Sequence, residues 1–279
     1  MATEQITLYG AKVDNHLSVH PASAASDERL DCVLMSTTNR SAKAGYSRFE
    51  VDLVNKPEWF ARDVNPASKV PAITYGGPQT SPDQPSPLST KLTESLVLLE
   101  FVADLYPNSS IFPTDPILRA KSRFFIDAVT TRFLPPYMGP IAHAKSFEPF
   151  WDALDSIQRL LPDDKVFAIS DEFTVADMAI APFLGRMEVW MKNDIGAYPK
   201  GEGLKAAEYF FNGERFKRFV RYFDAIKARE SYKHTIDMEY LRNAYAARFE
   251  PLRAKLQAAR LLQTRMQQPR LGKLLPVET

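Results

Sequence analysis

Cysteine is nearly absent from this chain. Cys32 is the one thiol in 279 residues, so neither an internal disulfide nor a cysteine-built metal site can form. Histidine is almost as scarce: His16, His20, His143 and His234 stand apart without ligand spacing, and no metal is expected. No run approaches the roughly eighteen apolar residues of a membrane span. Met1-Ala2-Thr3-Glu4-Gln5 lacks the basic head and apolar stretch of a secretory leader, so a cytoplasmic protein is expected. Charge of one sign is missing too. Lys and Arg number 35 against 34 Asp and Glu, a net of +1, which argues against nucleic acid or an anionic membrane as partner.

Apolar residues make up 45% of the chain, enough at this length to bury the cores of two modest domains. Residues 6–9 and 47–53 alternate with β-rich composition and predict two strands, compatible with a parallel pair joined by a crossover. Residues 70–75 predict a third strand beginning at a proline, and Gly76-Gly77-Pro78 ends it. The Pro/Ser/Gln-rich stretch 79–87 reads as an extended surface loop that does not pack. Thr90-Lys91-Leu92 follows as an edge strand, and residues 95–106 carry Leu96, Leu99, Val102 and Ala103 at helical spacing.

Beyond about residue 113 helical periodicity replaces strand alternation. Thr114-Asp115-Pro116 supplies a cap and a first-turn proline, with Ile117, Phe124, Phe125 and Ala128 marking one face. Ser146 opens a helix that turns Phe147, Phe150, Trp151, Leu154 and Ile157 inward, and Phe216, Phe219, Val220, Phe223 and Ile226 line another. Thr174-Val175-Ala176-Asp177 has the spacing of a capping box, with Asp in place of Glu, ahead of a buried helix. A long polar helix is expected over 238–263, then a loose tail.

Three strings carry a resemblance: Asn55-Lys56-Pro57-Glu58-Trp59-Phe60, Asn65-Pro66-Ala67-Ser68-Lys69-Val70-Pro71-Ala72-Ile73, and Glu94-Ser95-Leu96-Val97-Leu98-Leu99-Glu100-Phe101. In this order the chain resembles the cytosolic glutathione transferases, and among them the omega-like fungal enzymes, from Tyr46 to about residue 250 and over 6–12. The resemblance implies an α/β thioredoxin-like N-terminal domain (1–110), an all-α C-terminal domain (114–265) and a homodimer, while residues 266–279 read as a flexible tail. It also implies glutathione as co-substrate and a cis peptide before Pro71. Such a bond leaves the Val70 amide and carbonyl free to pair with the cysteinyl backbone of the tripeptide, as an added strand would. Ser95 at a helix start then meets the γ-glutamyl carboxylate, Glu94 the neighbouring ammonium, and Lys56 the glycine carboxylate. Singly, each has a plainer reading: a strand-start proline, a helix cap, a solvated lysine.

The pattern breaks at one place. Omega-like members hold a reactive cysteine in the turn after the first strand, and that position falls here on Asp14, followed by Asn15 instead of proline. A carboxylate there repels a thiolate. Residues 13–45 also exceed the family's connection by roughly fifteen residues, long for a connection without an element of its own. Within them Ser26-Asp27-Glu28 can cap a short helix facing Leu30, Val33 and Leu34 inward, with Cys32 in its second turn. Cys32 is either the catalytic thiol of a thiol-transferase or a half-buried inert cysteine. Tyr9 is a hydroxyl candidate or a core residue; Ser18, Ser23 and Ser26 are further hydroxyl candidates, and His16 and His20 read as solvated. A hydrophobic co-substrate surface is expected from Phe124, Arg132, Phe133 and Tyr137, though a core stripe also explains Phe124. Three functions follow: glutathione transfer to or from small hydrophobic or phenolic compounds, a non-catalytic glutathione- and ligand-binding protein, or a scaffold for protein contacts.

Overall fold

The computed structural model describes residues 4–11, 45–53 and 55–267, with side chains as far as residue 262. Four strands, β1 (Ile6–Gly10), β2 (Ser47–Glu50), β3 (Ala72–Tyr75) and β4 (Thr90–Thr93), form one sheet in the order β2-β1-β3-β4. β1 and β2 run parallel, while β3 is antiparallel to both β1 and β4. β2 stops at Glu50, short of the alternation that continues to residue 53.

Alternation along β1 divides the packing. Ile6 and Leu8, with Ile73, face helix α2 (Ser95–Leu105) through Leu98, Leu99 and Val102. Tyr9 and Ala72 join Val51 and Val70 on the other face, under Phe60 of the short helix α1 (Glu58–Asp63). Helices on both faces bury both sides of the central strands, which is why β1 is buried at every position. At six residues α1 is too short to give a periodic signal, so only the structure reveals it.

The stretch after β3 stays at the surface as expected, with Ser86 the one buried residue of 79–87, and it is fastened by polar side chains. The Gln5 amide acts as a surrogate strand partner: its Nε2 donates to the Thr80 carbonyl at 2.9 Å and its Oε1 accepts from the Thr80 amide at 3.1 Å. The Tyr9 hydroxyl donates to the Pro82 carbonyl at 2.8 Å, and Lys91 Nζ donates to the carbonyls of Ser86 and Ser89, each at 2.7 Å. Polar clamps from neighbouring strands do here what apolar side chains would otherwise do.

The second region is entirely helical: α3 (Pro116–Ala128), a π-helical turn (Val129–Phe133), α4 (Leu134–His143), α5 (Glu148–Gln158), α6 (Val175–Lys192), α7 (Glu202–Phe211), α8 (Lys217–Lys227), α9 (Glu230–Thr235) and α10 (Met238–Gln267). Asp115 caps α3 as expected, accepting from the amides of Ile117 and Leu118. The buried face of α3 is Ser122, Phe125, Ile126 and Ala128; Ile117 and Phe124, seven residues apart, form a separate exposed stripe. Prolines at the start of α4 and inside it masked that helix in the sequence.

α6 is the central post, buried on every face from Val175 to Met191. Its capping box forms with Asp177, whose carboxylate accepts the Thr174 amide at 2.8 Å and the Thr174 hydroxyl at 3.1 Å. It also accepts the Ala168 amide at 2.8 Å and the Tyr222 hydroxyl at 2.9 Å. Burial pushes this carboxyl up, and the four donors pull against that rise. Among the described residues no helix is long and apolar enough to cross a membrane.

Candidate functional site

Strand register assembles the site. Ala72 of β3 is paired with Tyr9 of β1 on one side and with Thr93 of β4 on the other. Val70-Pro71, just before β3, and Glu94-Ser95, just after β4, therefore lie side by side at the sheet end where β1 finishes. The Val70-Pro71 peptide is cis, as the resemblance implied. The Val70 side chain is buried, but its amide and carbonyl make no hydrogen bond among the described residues.

The first helical bond of α2 runs from the Leu98 amide to the Glu94 carbonyl at 2.9 Å, which leaves the amides of Ser95, Leu96 and Val97 facing outward without acceptors among the described residues. No side chain caps this end. An open helix end of this kind, reinforced by the helix dipole, is suited to an anion. Glu94 holds φ 69° and ψ 108°, a region that disfavours any side chain. Holding it there costs about 1–3 kcal/mol. Glu94→Gly is therefore expected to raise the melting temperature while weakening any ligand that uses the Glu94 carboxylate. Thermal unfolding and a binding titration on the same sample check the opposite signs; a parallel loss of both would refute the strain argument.

Lys56 is exposed and donates from Nζ to the Ser68 carbonyl at 2.7 Å, two residues before Val70. Buried Asn65 shapes that loop, bonding the Lys69 carbonyl at 2.7 Å and the Ala67 amide at 3.0 Å. Asn65 was not singled out in the sequence reading, although its place in the second string was the available signal. Tyr9 is fully buried against Phe49, Trp59 and Phe60, and its hydroxyl is committed to Pro82. Burial above all raises its pKa. Cys32, Asp14, Asn15, His16, His20, Ser18, Ser23 and Ser26 lie outside the described residues.

The four residues expected to line a co-substrate surface are divided by the structure. Phe133 and Tyr137 are core residues: Phe133 packs on Tyr137, Phe150 and Phe183, and the Tyr137 hydroxyl donates to the Phe183 carbonyl at 3.1 Å. Phe124 is 52% exposed, and the Arg132 guanidinium stands 5.6 Å from its ring centroid. Eight α-helical steps would set these two side chains about 80° apart around the axis. The wider i→i+5 turn at Val129–Phe133 takes most of that rotation back and aligns them.

A four-stranded mixed sheet followed by an all-helical domain, with a cis-proline corner facing a helix N-terminus, is the architecture of the glutathione transferases, and this chain belongs to that family. It is similar to glutathione transferase Omega 1C of Trametes versicolor, 44% identical at a TM-score of 0.79 over 89% of this chain and 98% of that one. Glutathione transferase Omega 2S of the same fungus, solved in complex with 2,4-dihydroxybenzophenone, is 35% identical at a TM-score of 0.74, covering 88% and 97% of the two chains. The model of the glutathione S-transferase C-terminal domain matches residues 140–225. The pyrimidodiazepine synthase of Drosophila melanogaster is 30% identical over 148 residues, 52% of this chain and 55% of that protein. The match thus spans about half the length of the first curated relatives.

Proposed function

We propose that this protein binds glutathione at the β3–α2 corner and transfers it to or from small hydrophobic or phenolic compounds. The observation that supports this most is the register that sets the unpaired Val70 amide and carbonyl beside the open N-terminus of α2. The Val70 groups take the cysteinyl backbone of the tripeptide as an added strand. The Ser95 hydroxyl and the first α2 amides take the γ-glutamyl carboxylate, and Glu94 takes the ammonium. Lys56 exchanges the Ser68 carbonyl for the glycine carboxylate. Phe124 and Arg132, a flat ring beside a cation, suit a phenolic co-substrate, and the dihydroxybenzophenone bound by the Omega 2S relative agrees in chemistry. Homodimerisation and a cytoplasmic location follow from the family likeness alone.

Cys32 is the proposed thiol. Its thiolate attacks the glutathionyl sulfur of a mixed disulfide, expels the co-substrate thiolate and forms a protein–glutathione disulfide; a second glutathione thiolate resolves it, yielding glutathione disulfide. Cys32→Ser is expected to abolish this exchange while leaving glutathione affinity unchanged, read by a disulfide-reduction assay beside a calorimetric titration. Asp14 at the family's cysteine position favours a second reading, a glutathione- and ligand-binding protein without turnover. Glutathione affinity with no exchange in the unmodified protein identifies that case, and absence of glutathione affinity refutes both.

A further inference from the structure

Asn65 spends all its polar groups on one turn. Its amide donates to the Phe60 carbonyl at 2.9 Å and its carbonyl accepts the Ser68 amide at 2.7 Å, while Nδ2 donates to the Lys69 carbonyl at 2.7 Å and Oδ1 accepts the Ala67 amide at 3.0 Å. The first of these bonds anchors the turn on α1, whose fully buried Phe60 packs against Tyr9 of β1. The turn is thereby tied to the sheet. Within it Ser68 holds φ 52°, a left-handed conformation uncommon for a residue with a side chain, and its carbonyl accepts Lys56 Nζ at 2.7 Å.

The Lys69 carbonyl belongs to the planar peptide unit whose other end is the Val70 amide, so holding one fixes the direction of the other. In a trans unit the two point opposite ways. The Asn65 side chain grips the Lys69 oxygen and so aims the Val70 amide away from the turn, where it has no partner among the described residues. Aspartate matches the shape of this side chain but cannot donate, and alanine can neither donate nor accept. Both side-chain bonds are only partly buried and end on the exposed residues Ala67 and Lys69, so water can take them over. Loss of the side chain should disturb the aim of Val70 more than the stability of the fold.

We propose that Asn65 is a positioning residue of the glutathione site, setting the Val70 amide for the cysteinyl backbone without touching the ligand; this rests on the β3–α2 corner being that site. The test is calorimetric titration of the full chain with glutathione, and with cysteinylglycine by competition, for the unmodified protein, Asn65→Ala, Asn65→Asp, Ser95→Ala and the Asn65→Ala/Ser95→Ala double variant. Both Asn65 variants are expected to bind glutathione about tenfold more weakly, with the melting temperature lowered by no more than about 5 °C. Asn65→Asp keeps the side-chain volume, so its loss reports the missing donor and not a packing defect. Cysteinylglycine should weaken by the same factor, because it retains the backbone that meets Val70. Ser95→Ala should cost the same factor in Asn65→Ala as in the unmodified protein, because it acts at the other end of the tripeptide; a general disturbance of the corner would shrink that factor. A loss confined to glutathione, a shrunken Ser95 factor, or unfolding of both Asn65 variants overturns the proposal. Absence of glutathione affinity in the unmodified protein refutes the site and this inference together, whereas affinity that the Asn65 variants keep in full refutes the inference alone.

Discussion

Ser95→Ala is expected to weaken glutathione binding about ten- to a hundredfold with no loss of stability. A hydrogen bond to a charged carboxylate contributes about 1.5–3 kcal/mol, and each ~1.4 kcal/mol is a factor of ten. Stability is spared because the Ser95 hydroxyl makes no hydrogen bond among the described residues and does not cap α2. Alanine is also the better helix former at this first position. A dipeptide control separates the contact from a general disturbance. Cysteinylglycine lacks the γ-glutamyl carboxylate, so its weaker binding should be the same for both proteins. If glutathione affinity were unchanged, or if the dipeptide lost as much as the tripeptide, Ser95 would not be the carboxylate ligand.

The second large effect concerns stability, far from that corner. Asp177→Ala removes the common acceptor of the Thr174 amide, the Ala168 amide and the Tyr222 hydroxyl, all in a fully buried place. Orphaned buried donors of this number cost about 3–5 kcal/mol, which lowers the melting temperature of a chain this size by roughly 10 °C. Thr174→Ala, which removes one cap, should cost only about 1 kcal/mol. Denaturant unfolding of the two variants distinguishes a network from a lone cap: equal losses would show that Asp177 acts only through the helix end. The disparity is expected because α6 is the element on which most of the helical core packs.

Both predictions rest on motifs that were readable before any coordinates. Val70-Pro71, Glu94-Ser95 and Thr174-Val175-Ala176-Asp177 are short, local, and made of residues whose backbone or side-chain habits are strong. The strands and the longer helices were legible for the same reason, since alternation and helical spacing are local signals. Besides the six-residue α1, three helices were not. α4 carries prolines that argue against a helix, α7 follows a glycine-rich turn, and α9 is six residues long, so each owes its existence to neighbours and not to its own pattern.

Side-chain fate was the least legible property. Phe124, Phe133 and Tyr137 are all large aromatic residues in one helical stretch, yet one is exposed and two are core. A π turn, which depends on packing and has no reliable signature, decides where the face rotates. The loop after β3 is similar: its composition gave its surface exposure, but not its fastening by Gln5 and Tyr9, which stand 75 and 73 positions from the carbonyls they hold.

The amino-acid order by itself determined the two-part architecture, the family likeness and the identities of the groups offered to a tripeptide, because these follow from periodicity and from motifs a few residues long. Only the tertiary structure decided that Val70 and Ser95 meet. They are 25 positions apart in the chain, and their adjacency comes from the Ala72–Thr93 pairing of two strands, a relation between distant segments that no local pattern encodes.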